Sequence, residues 1–196
     1  MKRLGFLLVT LLMLALFAVS ASALDATGNC GDNVNWSFDS SKGELVISGN
    51  GAMEDYNLES NYSPFMYQSN ITSIVIKNGV TSVGDYAFTF CRGVTSVTVP
   101  ESIKSIGVCA FANCINMKAY EIGKNVTSIG AMAFDNCGGL TKITIPDKVS
   151  SIGEYALISD ITLNSHIHTF AKAFHTKRKR KSKCHIRMRI VALCIP

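Results

Sequence analysis

The stretch "VTSVGDYAFTFCRGVTSVTVPES" (residues 80–102) is the first of several similar copies, which begin again at Ile103, Val126 and Val149. Each copy starts 23 residues after the previous one. A constant period of this length is typical of repeat proteins, in which a unit too small to bury its own apolar face stacks on its neighbours. The sequence therefore predicts a solenoid of 23-residue units.

Two short extended segments are predicted in each unit. Segments such as "VTSVTVP" and "LTKITIP" alternate apolar with polar residues and end at proline, which is typical of a short strand. The segment "VTSIG" predicts a second strand that ends at glycine, and a helical turn is expected at "AFDNC" (residues 133–137). An imperfect first unit is indicated upstream by Phe65, Ile71, Ile74 and Ile76.

Phenylalanine and cysteine each recur in one column of the repeat. These columns are Phe88, Phe111 and Phe134, and Cys91, Cys114 and Cys137. Stacked units lie ~4.8 Å apart, so each column is expected to form a structural ladder. The cysteines are interpreted as small buried side chains, because no C-x-x-C motif or nearby histidine suggests a redox or metal site. Whether Cys30 pairs with Cys109, outside the ladder, is open.

The repeated stretch and its continuation, "GVTSVGDYAFTFCRGVTSVTVPESIKSIGVCAF", resemble the BspA-type leucine-rich repeat of bacterial and some protist surface proteins. Residues 30–56 resemble the segment that often precedes the first repeat of such proteins. The resemblance implies a mainly β solenoid, a leucine-rich repeat array with an N-terminal β cap, outside the cell. Some family members are adhesins for host matrix proteins or other microbes. No binding motif follows, because the shared residues belong to the core.

The chain is divided into four predicted segments. Residues 1–23 combine Lys2 and Arg3, an apolar run and a small-residue site, as in a secretory signal peptide; an uncleaved membrane anchor is the alternative. Residues 24–62 are the predicted β cap and residues 63–157 the solenoid. The cap side chains expected to cover the end of the solenoid are Trp36, Leu45, Ile47 and Tyr56, with ligand binding by Trp36 as the alternative.

Residues 158–196 are a basic tail, predicted to be disordered or out of register. The net charge of +5 hides a division, since residues 24–157 hold 8 Lys+Arg and 13 Asp+Glu, whereas the tail holds 9 and 1. Asp160 stands where the period calls for cysteine, and only Leu163 still matches, in the leucine column of Leu140. The tail is interpreted as a genuine basic appendage that contacts anionic surfaces, a frame-disrupted or truncated gene, or a divergent capping repeat.

Catalytic chemistry is not indicated. Residues 24–157 contain no histidine, and H-E-x-x-H, G-x-S-x-G and phosphate-loop motifs are absent from the chain. We therefore expect no enzyme activity, catalytic residue, metal or cofactor, and we interpret Glu54 and Asp55 as solvated surface. Arg92 is the only arginine of residues 24–157, so the repeat domain is not expected to bind nucleic acid.

A partner-binding face is predicted on the outward positions of the strands, because successive side chains alternate between faces. Its residues are Ser96, Thr98, Lys118, Glu121, Lys142 and Thr144, with Ala119 and Thr95 beside them. The predicted function is adhesion through an extracellular protein or glycan ligand. The alternatives are a soluble β surface without a ligand, and a non-functional or purely structural fragment of a longer repeat adhesin.

Overall fold

The computed structural model describes residues 26–140, 142–157 and 162–163, which form two sheets and no helix. The long sheet contains, in order, β1 (Ala26–Gly31), β2 (Val34–Asp39), β3 (Glu44–Gly49), β5 (Ser73–Ile76), β7 (Ser96–Thr98), β9 (Ala119–Glu121), β11 (Lys142–Thr144) and β13 (Thr162–Leu163). The short sheet contains β4 (Gly51–Ala52), β6 (Val80–Val83), β8 (Ser105–Ile106), β10 (Ser128–Ile129) and β12 (Ser151–Ile152). The predicted mainly β solenoid is confirmed. No helix in the described part of the chain is long and apolar enough to cross a membrane.

The 23-residue period is the step from one strand to its neighbour. In the short sheet, Ser82 pairs with Ser105, Ser105 with Ser128, and Ser128 with Ser151, always in parallel. Strands of the long sheet from β5 to β9 follow the same register. Equivalent side chains of successive units therefore lie beside one another throughout the repeats.

The phenylalanine column forms a continuous stack in the core. The ring centroids of Phe88 and Phe111 are 5.3 Å apart, and those of Phe111 and Phe134 are 5.5 Å apart. Phe65 adds a fourth ring at 5.4 Å from Phe88. All four side chains are buried, so this column contributes much of the apolar contact between units.

The cysteine column lies beside this stack and is equally buried. The thiols of Cys91, Cys114 and Cys137 donate hydrogen bonds to the carbonyl oxygens of Phe65, Phe88 and Phe111, at 3.1, 3.2 and 3.2 Å. Burial raises the pKa of the Cys91 and Cys137 thiols to about 12. They are therefore protonated donors at neutral pH and are poor nucleophiles.

The helical turn predicted at residues 133–137 is wrong. Met132 (φ 54°) and Asn136 (φ 53°) adopt the left-handed conformation, which a right-handed helix cannot include. The chain makes successive reverse turns here. The backbone N–H of Asp135 closes one such turn on the carbonyl of Met132 at 3.1 Å, while the N–H of Phe134 donates to the carbonyl of Ala156 in the next unit at 2.9 Å.

The N-terminal cap adds two antiparallel pairings to the long sheet before the parallel repeats begin. Strand β2 is antiparallel to β1 and β3, and β3 is parallel to β5. The indole of Trp36 meets the Phe65 ring edge-on at 5.5 Å. Gly28 leaves room for it, because a Cβ at Gly28 would lie 2.7 Å from Trp36 Nε1. Trp36 therefore packs over the end of the phenylalanine stack.

Cys30 and Cys109, the described cysteines outside the ladder, are separate free thiols. Cys30 is buried in the cap, where desolvation raises its pKa to about 12. Cys109 faces the phenol of Tyr86 in a turn of the repeats. The pairing of Cys30 with Cys109 that the sequence left open is not present in the structure.

The predicted signal peptide and most of the basic tail lie outside the described residues. Of the tail, only β13 is described. Leu163 pairs there with Ile143, and not with Leu140 as its sequence spacing predicts.

Tyr120→Phe is expected to raise the free energy of unfolding by ~1 kcal/mol, because a buried hydroxyl without a partner is costly. Tyr120 is 3% exposed in the column that holds Val97 and Ile143 in the units beside it, and its hydroxyl has no hydrogen-bond partner among the described residues. Urea denaturation measures the change. Tyr155→Phe, at a 37% exposed ring, serves as the control and should have no effect. A loss of stability in Tyr120→Phe would show that the hydroxyl is hydrogen bonded.

Candidate binding surface

The outer face of the long sheet is formed by alternate residues of its strands. On β7, Ser96 and Thr98 are exposed, whereas Val97 between them packs against the core. On β9, Ala119 and Glu121 are exposed and Tyr120 is buried. This alternation is the one predicted from the sequence.

The structure places the predicted partner-binding residues on neighbouring strands. Ser96 pairs with Ala119, and Glu121 pairs with Thr144. The exposed members are Ser96, Thr98, Lys118, Glu121 and Thr144. The backbone of Lys142 lies on β11, while its side chain lies outside the described residues. These positions form one continuous face, and their role in binding stays a prediction.

Thr95, predicted to flank this face, has a structural role. Its hydroxyl donates to the carbonyl oxygen of Thr72 in the preceding unit at 3.1 Å. Its own carbonyl accepts the backbone N–H of Lys118 at 3.1 Å. The threonine side chain therefore links two units and is not available as a free hydroxyl.

The face also extends further towards the N-terminus than the sequence indicated. Val46 pairs with Val75, and Val75 pairs with Thr98. Both valines are half-buried and occupy outward positions of β3 and β5. The alternation within "ELVISG" was the available signal, but the cap lacks the period that aligned the other strands.

The two described charges on this face, those of Lys118 and Glu121, have no ion-pair partners among the described residues. The ion pairs of the described region join Lys42 to Asp39 and Lys124 to Glu101. The hydrogen bond from Lys124 lowers the pKa of Glu101 and raises the pKa of Lys124 itself. Lys118 and Glu121, by contrast, are free to meet charges of a partner.

A groove of about 450 Å³ follows the short sheet. Its lining includes the serines and glycines that recur with the repeat period, which are Ser82, Ser105, Ser128, Ser151, Gly107, Gly130 and Gly153. The carboxylates at this groove are structural: Asp55 Oδ1 accepts the N–H of Asp85 at 2.9 Å, and Asp85 Oδ1 accepts that of Val108 at 2.6 Å. Asp55, interpreted as solvated surface, therefore bonds the cap to the first full unit. In the described ranges, no group of three or more His, Cys, Asp or Glu side chains could hold a metal ion.

Comparison with known proteins gives the same architecture. The model of the BspA-type leucine-rich repeat region matches residues 59–178 in six copies, and the match extends into the predicted basic tail. A leucine-rich repeat protein from Eubacterium ventriosum is 27% identical, with a TM-score of 0.55, over 73% of this chain and 45% of its own.

Two further solved structures share the fold. A leucine-rich repeat protein from Bacteroides ovatus is 24% identical, with a TM-score of 0.50, over 68% of this chain and 39% of its own. The leucine-rich repeat protein of T. pallidum is 16% identical, with a TM-score of 0.51, over 69% of this chain and 71% of its own. The chain spans less than half the length of the E. ventriosum and B. ovatus proteins. No curated protein matches it.

Proposed function

Because the chain belongs to the BspA-type leucine-rich repeat family, we propose that it is an exported adhesion protein, secreted or displayed at the cell surface. The family implies protein–protein interaction in general. Adhesion is the more specific proposal, and the proposed partner is an extracellular protein of the host matrix or of another cell. Export is supported by the charged and apolar pattern of residues 1–23.

The observation that carries the proposal is the outer face of the long sheet. Its exposed residues form aligned rows across strands ~4.8 Å apart, with hydroxyls such as Ser96 and Thr98 beside the free charges of Lys118 and Glu121. A flat face without convergent polar groups is unsuited to enclosing a small molecule. It suits an extended partner surface, where complementary charges set orientation and specificity.

No catalytic residue, metal or cofactor is assigned in this proposal. Residues 24–157 contain no histidine, and burial keeps the thiols of the cysteine column protonated. The shared side chains of the repeat stabilise the stack, and the outward side chains remain for a partner.

The triple variant Lys118→Ala, Glu121→Ala, Lys142→Ala is expected to bind immobilised matrix proteins and whole partner cells about tenfold or more weakly, because it removes the charges that a partner would pair. Its melting temperature should be unchanged, since Lys118 and Glu121 are exposed and have no ion-pair partner in the described region. Surface-bound protein and cell adhesion are the two measurements.

The matched control is Glu101→Ala, Lys124→Ala, which removes an exposed ion pair away from the proposed face and should leave binding unchanged. Equal binding by the wild type and the triple variant would exclude the outer face. Failure of the wild type to bind would favour the alternative function, a purely structural or non-functional piece of a longer adhesin.

A further inference from the structure

An aromatic pair outside the core, formed by exposed Tyr67 and half-buried Phe90, lies on the turns that precede two strands of the long sheet. The rings of Tyr67 and Phe90 stack with centroids 4.8 Å apart and planes 18° from parallel. They occupy the same position in consecutive units and lie outside the core stack. Tyr67 is 64% exposed, so burial in the core does not explain this pair.

The backbone makes aromatic residues an unfavourable choice here. Tyr67 (φ 62°) and Phe90 (φ 60°) are both left-handed, a conformation that is a genuine outlier for bulky side chains. The next two units place Asn113 (φ 63°) and Asn136 (φ 53°) at this position, and asparagine is among the residues that tolerate it best. An exposed tyrosine and a half-buried phenylalanine therefore stand where asparagine would cost less.

A cation without a counter-charge lies beside this pair. The guanidinium carbon of Arg92 is 5.9 Å from the centroid of the Phe90 ring. Arg92 is exposed and has no ion-pair partner among the described residues. Its backbone carbonyl accepts a hydrogen bond of 2.8 Å from Asn116 Nδ2 in the next unit, which holds the turn that carries it.

Side-chain amides continue the same column. Asn136 Nδ2 donates to Asn113 Oδ1 at 2.8 Å. The surface therefore runs from open aromatic rings, past a guanidinium, to a pair of amides. Aromatic faces attract the weakly positive C–H groups of a ring laid against them, while a guanidinium binds carboxylates. A pyranose that bears a carboxylate offers both features within one residue.

We propose that Tyr67, Phe90 and Arg92 form a binding site for an acidic saccharide. The C–H face of one sugar ring lies on the open side of the aromatic pair, and Arg92 donates hydrogen bonds to the carboxylate of that sugar or of its neighbour. This site differs from the outer face of the long sheet in position and in ligand chemistry. It therefore stands independently of the proposed adhesion to a protein.

The test titrates the full chain by calorimetry with two saccharides that share N-acetylglucosamine. One is a hexasaccharide of alternating glucuronate and N-acetylglucosamine, and the other is chitohexaose, which lacks the carboxylate. The acidic hexasaccharide is expected to bind about tenfold or more tightly than the neutral one. Arg92→Gln should abolish this preference.

The double variant Tyr67→Asn, Phe90→Asn should lose at least about tenfold in affinity. It should melt no lower than the wild type, because asparagine fits the left-handed backbone. The matched control is Met132→Asn, at another left-handed position (φ 54°) that is 40% exposed. This control should bind the acidic hexasaccharide as the wild type does, as should the triple variant of the outer face.

Three results would overturn the proposal. One is the absence of binding by the wild type at millimolar acidic hexasaccharide. Another is unchanged affinity in the Tyr67→Asn, Phe90→Asn variant. The third is equal affinity for a glutamate-rich peptide, which would assign the site to acidic polypeptides.

Discussion

Phe111→Ala is expected to lower the free energy of unfolding by ~3–5 kcal/mol, the largest effect of any single core substitution proposed for this protein. The Phe111 ring is fully buried between Phe88 at 5.3 Å and Phe134 at 5.5 Å, and Tyr120 meets it at 5.1 Å. Removing the Phe111 ring leaves a cavity in the middle of the stack. The flanking rings cannot move in to fill it, because each is packed within its own unit. Because each unit contacts mainly its neighbours, the loss affects both halves of the solenoid.

Urea denaturation followed by far-ultraviolet circular dichroism measures this change. Phe90→Ala is the matched control, since it removes the same side chain from a half-buried turn outside the core. It should cost far less than Phe111→Ala. Similar costs for the two variants would show that the phenylalanine column does not carry the contact between units.

Gly130→Ala is expected to lower the free energy of unfolding by ~1–3 kcal/mol, because the added methyl group overpacks a close backbone contact. A Cβ at Gly130 would lie 2.5 Å from the carbonyl carbon of Gly107 and 2.5 Å from the backbone nitrogen of Val108. Backbone atoms cannot rotate away as a flexible side chain can. The stacked units must therefore separate locally, which weakens their hydrogen bonds.

Gly138 provides a control within the same unit. A Cβ there would have no heavy atom within 4 Å, so Gly138→Ala should be neutral or stabilise by ~0.4–1 kcal/mol through the unfolded state. Thermal melting of the two single variants separates the alternatives. An equal change in melting temperature for the two variants would contradict this explanation. The intrinsic conformational propensity of glycine, and not a close backbone contact, would then account for the glycines that recur at Gly84, Gly107, Gly130 and Gly153.

Much of the fold could be predicted because the repeat makes sequence spacing equivalent to spatial position. Once Ser82 and Ser105 are known to be one period apart, their pairing across two strands follows. The exposure of Ser96 and Thr98 follows equally from alternation along a strand. Periodicity and alternation therefore allowed the candidate face to be predicted from the sequence. The cap is the exception, because no sequence period aligns Val46 with Val75 there.

The sequence-based predictions were wrong where the role of a residue depends on the neighbouring unit. Thr95 looked like a free surface hydroxyl, but the carbonyl of Thr72 accepts its hydrogen bond. Residues 133–137 were predicted to form a helical turn, but the Phe134 N–H donates to the carbonyl of Ala156 in the next unit, and Asn136 is left-handed. The sequence of one unit does not specify which backbone groups of the adjacent unit will lie within hydrogen-bond distance.

The amino-acid sequence alone was sufficient to predict the architecture of this protein: the 23-residue step, the phenylalanine and cysteine columns, the outward rows of the long sheet and the family. These follow from periodicity, which any stacked arrangement of identical units must translate into columns. The role of each turn, by contrast, is evident only in the folded chain. The folded chain places exposed Tyr67 and half-buried Phe90 on left-handed backbone beside Arg92. It also shows that the column thiols donate to carbonyl oxygens of the preceding unit. Contact between units sets the backbone conformation and the hydrogen-bond partners of the turns, and the sequence of one unit does not specify that contact. An aromatic residue in the sequence can therefore become either a buried ring or an exposed one.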